Sequence, residues 1–110
     1  MNWKIKYYSE AVEDDILNLP AGLLGRYIHL TKLMAEFGSN LGMPHTKSID
    51  DGLIELRLKS KEGIARVFYC TKIGKRIVML HVFVKKTQKT PKKELMLAKQ
   101  RMKEVQENDT

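Results

Sequence analysis

The chain has 110 residues, of which 43% are hydrophobic and 30% charged, and its formal net charge is +7. This length supports one domain with one ordinary core, and the hydrophobic share excludes a wholly disordered chain. The apolar runs are too short to span a membrane and no secretory signal pattern is found, so we expect a cytoplasmic protein. The single cysteine, Cys70, excludes an internal disulfide and argues against a cysteine-based zinc site.

Positive charge is concentrated late in the sequence. Residues 1–84 carry twelve basic and nine acidic side chains, whereas residues 85–103 carry eight basic side chains and Glu94 as their one acid. Such a basic cluster is either a solvated helix face or a surface that binds a polyanion such as nucleic acid. Composition leaves both interpretations open.

The first half of the chain predicts one strand and two helices. Hydrophobic residues alternate along residues 3–8, which is typical of a strand with one buried face. Ser9 is a suitable N-cap for a short helix that ends before Pro20, because proline disfavours helical geometry in the residue before it. Helical spacing of apolar residues predicts a longer helix from Ala21 to Phe37, and glycines and a proline then predict a loop.

The second half predicts an antiparallel meander and a final helix. The expected strands are residues 53–59, 64–71 and 76–85, with short turns between them. Thr90 and Pro91 are expected to be the N-cap and the first residue of the last helix. We therefore predict one α+β domain at 1–106, with helices packed on a mainly antiparallel sheet, and a disordered tail at 107–110.

One face of the predicted sheet combines cations with aromatic rings. Strict alternation places on this face Arg57, Arg66, Phe68, His81, Phe83 and Lys85. Cations neutralise phosphates and rings stack on bases, so this face suits a single-stranded nucleic acid. The alternative is an ordinary solvent-facing surface with two ring edges at a helix boundary. In the last strand the same alternation groups Ile77 and Met79 with His81 and Phe83.

The histidines do not suggest a metal site. His29, His45 and His81 have no ligand spacing, which argues against a metal-dependent nuclease. His81 lies on the candidate face, where it could transfer protons, although a mid-strand histidine is more often a half-buried, hydrogen-bonded residue. The sequence has no glycine loop that binds phosphate and no nucleophile motif of a serine hydrolase. It therefore supports neither a nucleotide cofactor nor a serine hydrolase.

Three segments of the second half follow the pattern of a known toxin family. They are the runs Asp51 to Arg57, Ala65 to Tyr69 and Leu80 to Pro91, the last of which contains the stretch F-V-K-K-T-Q-K-T-P. In the order and spacing of these runs the chain resembles the HigB-like, phage-derived branch of the RelE/ParE superfamily of type II toxins. The resemblance covers nearly the whole chain and implies a RelE-like fold.

The resemblance also implies an activity and its partners. Such a toxin is an mRNA interferase, a metal-independent endoribonuclease that usually cuts mRNA in the ribosomal A site. The ribose 2′-hydroxyl attacks the adjacent phosphate, which leaves a cyclic phosphate and a 5′-hydroxyl, without any cofactor. The implied partners are mRNA, the ribosome and a helix-turn-helix antitoxin that holds the toxin inactive, and DNA is contacted only through the antitoxin complex.

The resemblance assigns roles to individual residues. Arg66 matches the phosphate-stabilising arginine of the family, and Arg57 lies where relatives have a basic residue on the preceding strand. Lys85 and Lys86 match the basic pair that ends the last strand. The tyrosine or histidine that some relatives have near the C-terminus is missing, so the general base stays open between a lysine of this pair and His81. The expected RNA-binding residues are Phe68, Phe83, Lys89, Lys92 and Lys93.

Two other functions stay open. A ParE-like protein would inhibit DNA gyrase by binding, without nuclease chemistry, and a non-enzymatic basic module would only dock nucleic acid. Cleavage of messages on translating ribosomes distinguishes a nuclease from a gyrase inhibitor. An Arg66→Lys substitution tests the docking module, because docking tolerates a point charge whereas a shaped guanidinium site does not.

Overall fold

A five-stranded sheet lies at the centre of the protein, with helices on both of its faces, so the predicted α+β class is confirmed. The computed structural model describes residues 2–86 and 89–108. The elements in chain order are β1 (Lys4–Tyr7), α1 (Glu10–Leu17), α2 (Ala21–Phe37), β2 (Thr46–Asp50), β3 (Leu53–Ser60), β4 (Gly63–Lys72), β5 (Arg76–Lys85) and α3 (Lys92–Glu107). None of the helices in the described ranges is long and apolar enough to cross a membrane.

The meander has four strands rather than the three predicted. The strand order is β1-β5-β4-β3-β2, in which β2 to β5 are antiparallel and β1 pairs in parallel with β5. The additional strand, β2, lies at the edge of the sheet and buries only Thr46 fully. An edge strand with polar side chains leaves no hydrophobic run in the sequence, which is why the pattern did not reveal it.

The first two helices begin and end where their sequence signals place them. The Ser9 side chain caps α1 by accepting a hydrogen bond from the backbone N–H of Val12 at 3.2 Å. The second helix, α2, has the predicted bounds and buries Leu23, Tyr27, Leu30 and Met34. Both helices therefore pack their apolar sides on the same face of the sheet.

The last helix begins one residue later than predicted. Pro91 is its N-cap, and no side chain caps it. The Thr90 hydroxyl instead approaches Oε2 of Glu55 at 3.5 Å, so it contacts β3 rather than the helix. The helix ends at Glu107, within the predicted tail, and residues 109 and 110 of that tail lie outside the described residues. Residues 87 and 88 of the F-V-K-K-T-Q-K-T-P stretch also lie outside them.

Two hydrophobic cores lie on opposite faces of the sheet. The larger core, between the sheet and helices α1 and α2, contains Ile16, Leu23, Leu30, Leu56, Val67 and Met79 among its residues. The smaller core, between the sheet and α3, contains Leu53, Phe68, Cys70, Val78, Leu80, Ala98 and Met102. Helix α3 therefore covers part of the face that the sequence analysis took to be open.

A bulge in β5 changes which of its residues share a face. Met79 and His81 pair with consecutive residues of β4, so Leu80 is an extra residue between the two pairs. As a result Ile77 and Met79 lie in the larger core, whereas Phe83 packs against the smaller one. The expected grouping of Ile77 and Met79 with His81 and Phe83 is wrong, because the bulge interrupts the two-residue period.

Cys70 provides a test of how firmly α3 covers the sheet. Burial raises the pKa of its thiol to about 11. The thiolate is the reactive form, so at pH 8 only about one thiol in a thousand is deprotonated. We expect a thiol-specific disulfide reagent to modify Cys70 slowly in the native protein and to modify one thiol per chain once guanidinium chloride unfolds it. Complete reaction of the native protein within minutes would contradict the packing of α3 over β4.

Candidate active site

An open cleft of about 900 Å³ lies at the end of the sheet where β3 ends, β4 begins and β5 ends. We call it the basic cleft, because most of the residues that line it are basic. These are Arg26, Arg57, Lys59, Arg66, Lys85 and Lys86. The remaining lining residues are Met43, Pro44, His45 and Ile64. Such a surface is suited to binding an anion.

The strand register sets two arginines of the basic cleft side by side. Arg57 of β3 pairs directly with Arg66 of β4, which in turn pairs with Phe83 of β5. Directly paired residues share a face, and their Cβ atoms lie about 4.5–5.5 Å apart. Like charges on directly paired residues repel each other, so a bound anion stabilises the pair.

Glu55 supplies a negative charge beneath the two arginines. Its Oε1 lies 3.5 Å from Nε of Arg66 and 3.9 Å from Nε of Arg57. Glu55 and Arg66 are both buried, each with 5% of its surface exposed, whereas the Arg57 side chain is 30% exposed. Glu55 therefore holds Arg66 in place within the sheet, whereas Arg57 is more exposed toward the cleft.

The guanidinium of Arg66 is buried without using all of its hydrogen-bond donors. Its Nη1 donates to the carbonyl oxygen of Ala65 at 3.2 Å, but its Nε has no hydrogen-bond partner among the described residues. Burial lowers the pKa of Arg66, the charge of Glu55 opposes this shift, and the charge of Arg57 adds to it. A guanidinium that has lost water and keeps spare N–H groups gains strongly from an anionic acceptor.

Lys85 is a lysine of the basic cleft whose pKa is lowered. Desolvation lowers the pKa of Lys85, the charges of Arg66, Arg57 and Lys47 lower it further, and Glu55 opposes the shift. A lysine with a lowered pKa can exchange a proton closer to neutral pH than an ordinary lysine can. Lys86, which is exposed, also lines the cleft. The two lysines thus lie where the sequence analysis expected the basic pair.

Comparison with known proteins places the chain in a family. Residues 14–103 match the model of the family described as phage-derived protein Gp49-like (DUF891). The chain belongs to this Gp49-like family. No curated protein matches its sequence.

A solved structure shows the same fold. It is that of the archaeal RelE–RelB complex from Pyrococcus horikoshii OT3, in which one chain is similar to this Gp49-like protein with a TM-score of 0.51 and 18% sequence identity. The similarity covers 76% of this chain and 96% of that chain. The Gp49-like protein therefore has a RelE-like fold, as the resemblance implied.

His81 and the two phenylalanines do not line the basic cleft of the Gp49-like protein. Nε2 of His81 lies 2.9 Å from Oε1 of Glu94, in the first turn of α3. The Phe83 ring stacks against His81 and Phe68, with centroid distances of 6.0 and 5.9 Å. Phe68 is fully buried beneath α3, so no face of its ring is open to a base, which argues against its expected stacking on RNA. Phe83 is half-buried at the border of the smaller core.

The other expected RNA contacts lie outside the basic cleft. Lys89, Lys92 and Lys93 are exposed around the start of α3 and do not line the cleft. They remain predicted contacts for a longer RNA. Within residues 2–86 and 89–108, no group of three histidine, cysteine or acidic side chains is arranged to hold a metal ion.

Sequence patterns did not predict the part of the basic cleft that α2 and the loop before β2 contribute. Arg26 lies on α2, and Met43, Pro44 and His45 belong to the loop. The sulfur of Met43 accepts a hydrogen bond from Nη1 of Arg57 at 3.4 Å, which ties the loop to the arginine pair. No spacing in the sequence links this loop to β3, because the strand that connects them, β2, has no hydrophobic signature.

Proposed function

We propose that this Gp49-like protein is the toxin of a type II toxin–antitoxin system and that it cleaves mRNA on the ribosome. The observation that carries the proposal is the buried Arg66 guanidinium, which lines the basic cleft beside Arg57 and is held from below by Glu55. Membership of the Gp49-like family and the RelE-like fold support the same class of protein. We further propose the HigB-like branch and action in the cytoplasm, where ribosomes translate.

The proposed reaction is a transesterification that places extra negative charge on the phosphate. The ribose 2′-hydroxyl attacks the adjacent phosphorus, and charge accumulates on the non-bridging oxygens before the 5′-oxygen leaves. Preorganised donors aimed at such oxygens contribute about 3–4 kcal/mol each to lowering the barrier. Arg66 and Arg57 are such donors, and a fixed guanidinium performs this role without a metal ion or a nucleotide cofactor.

Two protons must move in this reaction. One leaves the 2′-hydroxyl, and one reaches the 5′-oxygen, so the site needs a base and an acid. The lowered pKa of Lys85 makes it a stronger acid than an ordinary lysine, and its position at the rim of the cleft suits contact with a bound phosphodiester. Lys86 is the second lysine that can contact the same strand.

The proposed partner is an antitoxin protein that keeps the toxin inactive. The solved structure with the same fold is a complex of RelE with RelB, and this supports a protein partner for the present chain as well. We propose a helix-turn-helix antitoxin, through which the complex would contact DNA. If a neighbouring gene encodes such a helix-turn-helix protein, adding that protein in equimolar amount to the purified toxin should abolish cleavage.

The direct experiment adds the purified protein to translating ribosomes and maps the ends of the cleaved message. We expect new 5′-hydroxyl ends opposite 2′,3′-cyclic phosphates, and far fewer such ends with the Arg66→Lys variant. Intact message combined with inhibition of DNA gyrase would overturn the proposal in favour of a ParE-like protein. Intact message combined with tight RNA binding would overturn it in favour of a docking module.

The affinity of the protein for single-stranded RNA should depend strongly on salt. If RNA in the basic cleft contacts about four to six phosphates, the slope of log K against log salt concentration is expected to be roughly −3 to −4. Filter binding of a short RNA between 50 and 300 mM KCl measures this slope. The double variant Lys85→Gln/Lys86→Gln should have a slope that is shallower by about one to one and a half. A flat response in the wild-type protein would contradict binding in the basic cleft.

A further inference from the structure

The lining of the basic cleft includes a histidine. His45 lines the cleft, immediately before β2. Its backbone N–H donates to the carbonyl oxygen of Gly42 at 3.0 Å, and its carbonyl oxygen accepts from the backbone N–H of Arg57 at 2.8 Å. The backbone of His45 is therefore fixed by main-chain hydrogen bonds on both sides.

The strand register places His45 in the same row as the two arginines. Thr46 pairs with Leu56, so the next position along the ladder sets His45 opposite Arg57, in agreement with their backbone hydrogen bond. Thr46 and Leu56 are buried on the side of α2, and side chains alternate along a strand, so His45 projects to the face of Arg57 and Arg66.

We propose that His45 is the general base that removes the proton from the attacking 2′-hydroxyl. This inference rests on the proposed function and adds a catalytic residue to it. Imidazole is the side chain that commonly exchanges protons near neutral pH, and it does so best when no other group occupies its nitrogens. His81 is less suited to the role, because its Nε2 contacts Glu94 and it does not line the cleft.

The proton balance of the step is complete with groups that line the cleft. The neutral imidazole of His45 takes the proton of the 2′-hydroxyl while the 2′-oxygen forms its bond to phosphorus. The bond from phosphorus to the 5′-oxygen breaks, and the 5′-oxygen takes a proton from the ammonium of Lys85. The products are a 2′,3′-cyclic phosphate and a 5′-hydroxyl, and solvent returns both side chains to their starting protonation states.

Removal of the imidazole is the first part of the test. His45→Ala should slow single-turnover cleavage of a ribosome-bound message by at least about 100-fold, the usual contribution of general acid–base catalysis. Free imidazole should raise the cleavage rate of His45→Ala at least tenfold. It should not raise the rate of His45→Gln, because the glutamine side chain fills the space. His29→Ala, on the exposed side of α2, is the matched control and should cleave like the wild type.

A modified message distinguishes a base from an acid. Sulfur in place of the 5′-oxygen at the mapped cleavage site makes a leaving group that needs no proton. The defect of His45→Ala should persist with this message, whereas the defect of Lys85→Ala should largely disappear. If the sulfur message instead rescues His45→Ala, His45 is the acid and the proposal is overturned.

The failure of this inference can be told apart from the failure of the proposed function. If the wild-type protein cleaves and both His45 variants cleave at the same rate with unchanged melting temperatures, His45 is not the base and the proposed function stands. If the wild-type protein does not cleave any message, the proposed function fails and the role of His45 falls with it. Misfolding is not expected in either variant, because the hydrogen bonds of residue 45 are made by the backbone.

Discussion

Arg66→Ala is expected to abolish cleavage and to destabilise the fold at the same time. The loss in rate should reach at least about 100- to 1,000-fold, as is found when one preorganised donor to a developing oxyanion is removed. The loss in stability arises because Glu55 is left buried beside an empty space, without its 3.5 Å neighbour. Breaking a buried ion pair by removing one partner typically costs about 3 kcal/mol or more.

This expectation differs from what the sequence alone suggests for the same substitution. A cation on the outward face of a strand contributes little to stability, and its removal is usually tolerated within about 0.5 kcal/mol. Arg66 is only 5% exposed, and it lies against Glu55 in the interior of the sheet, so that reasoning does not apply to it. Urea unfolding of the variant measures the difference directly.

Matched variants separate the two effects of Arg66. Arg66→Lys keeps a positive charge near Glu55 and should lose less stability than Arg66→Ala, but it should still cleave poorly because an ammonium lacks the planar set of donors. Combining Arg66→Met with Glu55→Gln removes both charges and should recover stability relative to Arg66→Met alone, without recovering cleavage. A folded Arg66→Lys protein that cleaves at the wild-type rate would show that the site needs only a point charge.

Local sequence patterns predicted those parts of the fold that local burial determines. The helix from Ala21 to Phe37 has four buried residues at helical spacing and is bounded by Pro20 and Gly38. The alternation of β3 and β4 was also predicted, because each strand has one face toward α2 and the other toward the cleft or α3. In these segments the spacing of apolar residues carries enough information to assign the faces.

Other features depend on contacts between distant segments and left no local signal. The bulge at Leu80 reverses the face of part of β5. Apolar residues occupy both faces of this strand, so the sequence does not distinguish strict alternation from an alternation interrupted by a bulge. The edge strand β2 is nearly all polar, and this concealed the path by which His45 reaches the cleft. Glu55 looked like one more charge on a solvent face, although it is only 5% exposed and the Thr90 hydroxyl contacts it from the segment before α3.

The resemblance named the two arginines and the two lysines one by one, and the structure places all four along one cleft, while their roles stay predictions. The aromatic residues of the same face could not be predicted in this way. Alternation determines which face a side chain occupies, but it does not reveal whether a helix covers that face. Helix α3 covers this face because Ala98 and Met102 pack into the smaller core. Both residues are about thirty positions from Phe68 in the sequence, so no local pattern shows this contact.

Phe68 should therefore behave as a core residue and not as a platform for RNA bases. Its ring is fully buried, so Phe68→Ala should lower the free energy of unfolding by about 3–5 kcal/mol, through lost burial and the cavity left behind. Typical domains have only about 5–15 kcal/mol of stability, so a large drop in melting temperature is expected. Circular dichroism during thermal and urea unfolding measures both quantities.

Phe68→Leu tests the same assignment without a large cavity. Phe68→Leu should lower the free energy of unfolding by less than about 1.5 kcal/mol, because leucine keeps much of the buried volume. Stacking of a base on an aromatic ring contributes about 1–3 kcal/mol to binding, so loss of a stacking platform would weaken RNA affinity by roughly tenfold or more. We expect Phe68→Leu to bind RNA as the wild type does.

Phe83→Leu is the matched variant, because Phe83 is half-buried and pairs directly with Arg66. If Phe68→Leu weakens RNA binding tenfold while its melting temperature is nearly unchanged, α3 must leave the sheet when RNA binds, and Phe68 would regain the role that its burial argues against.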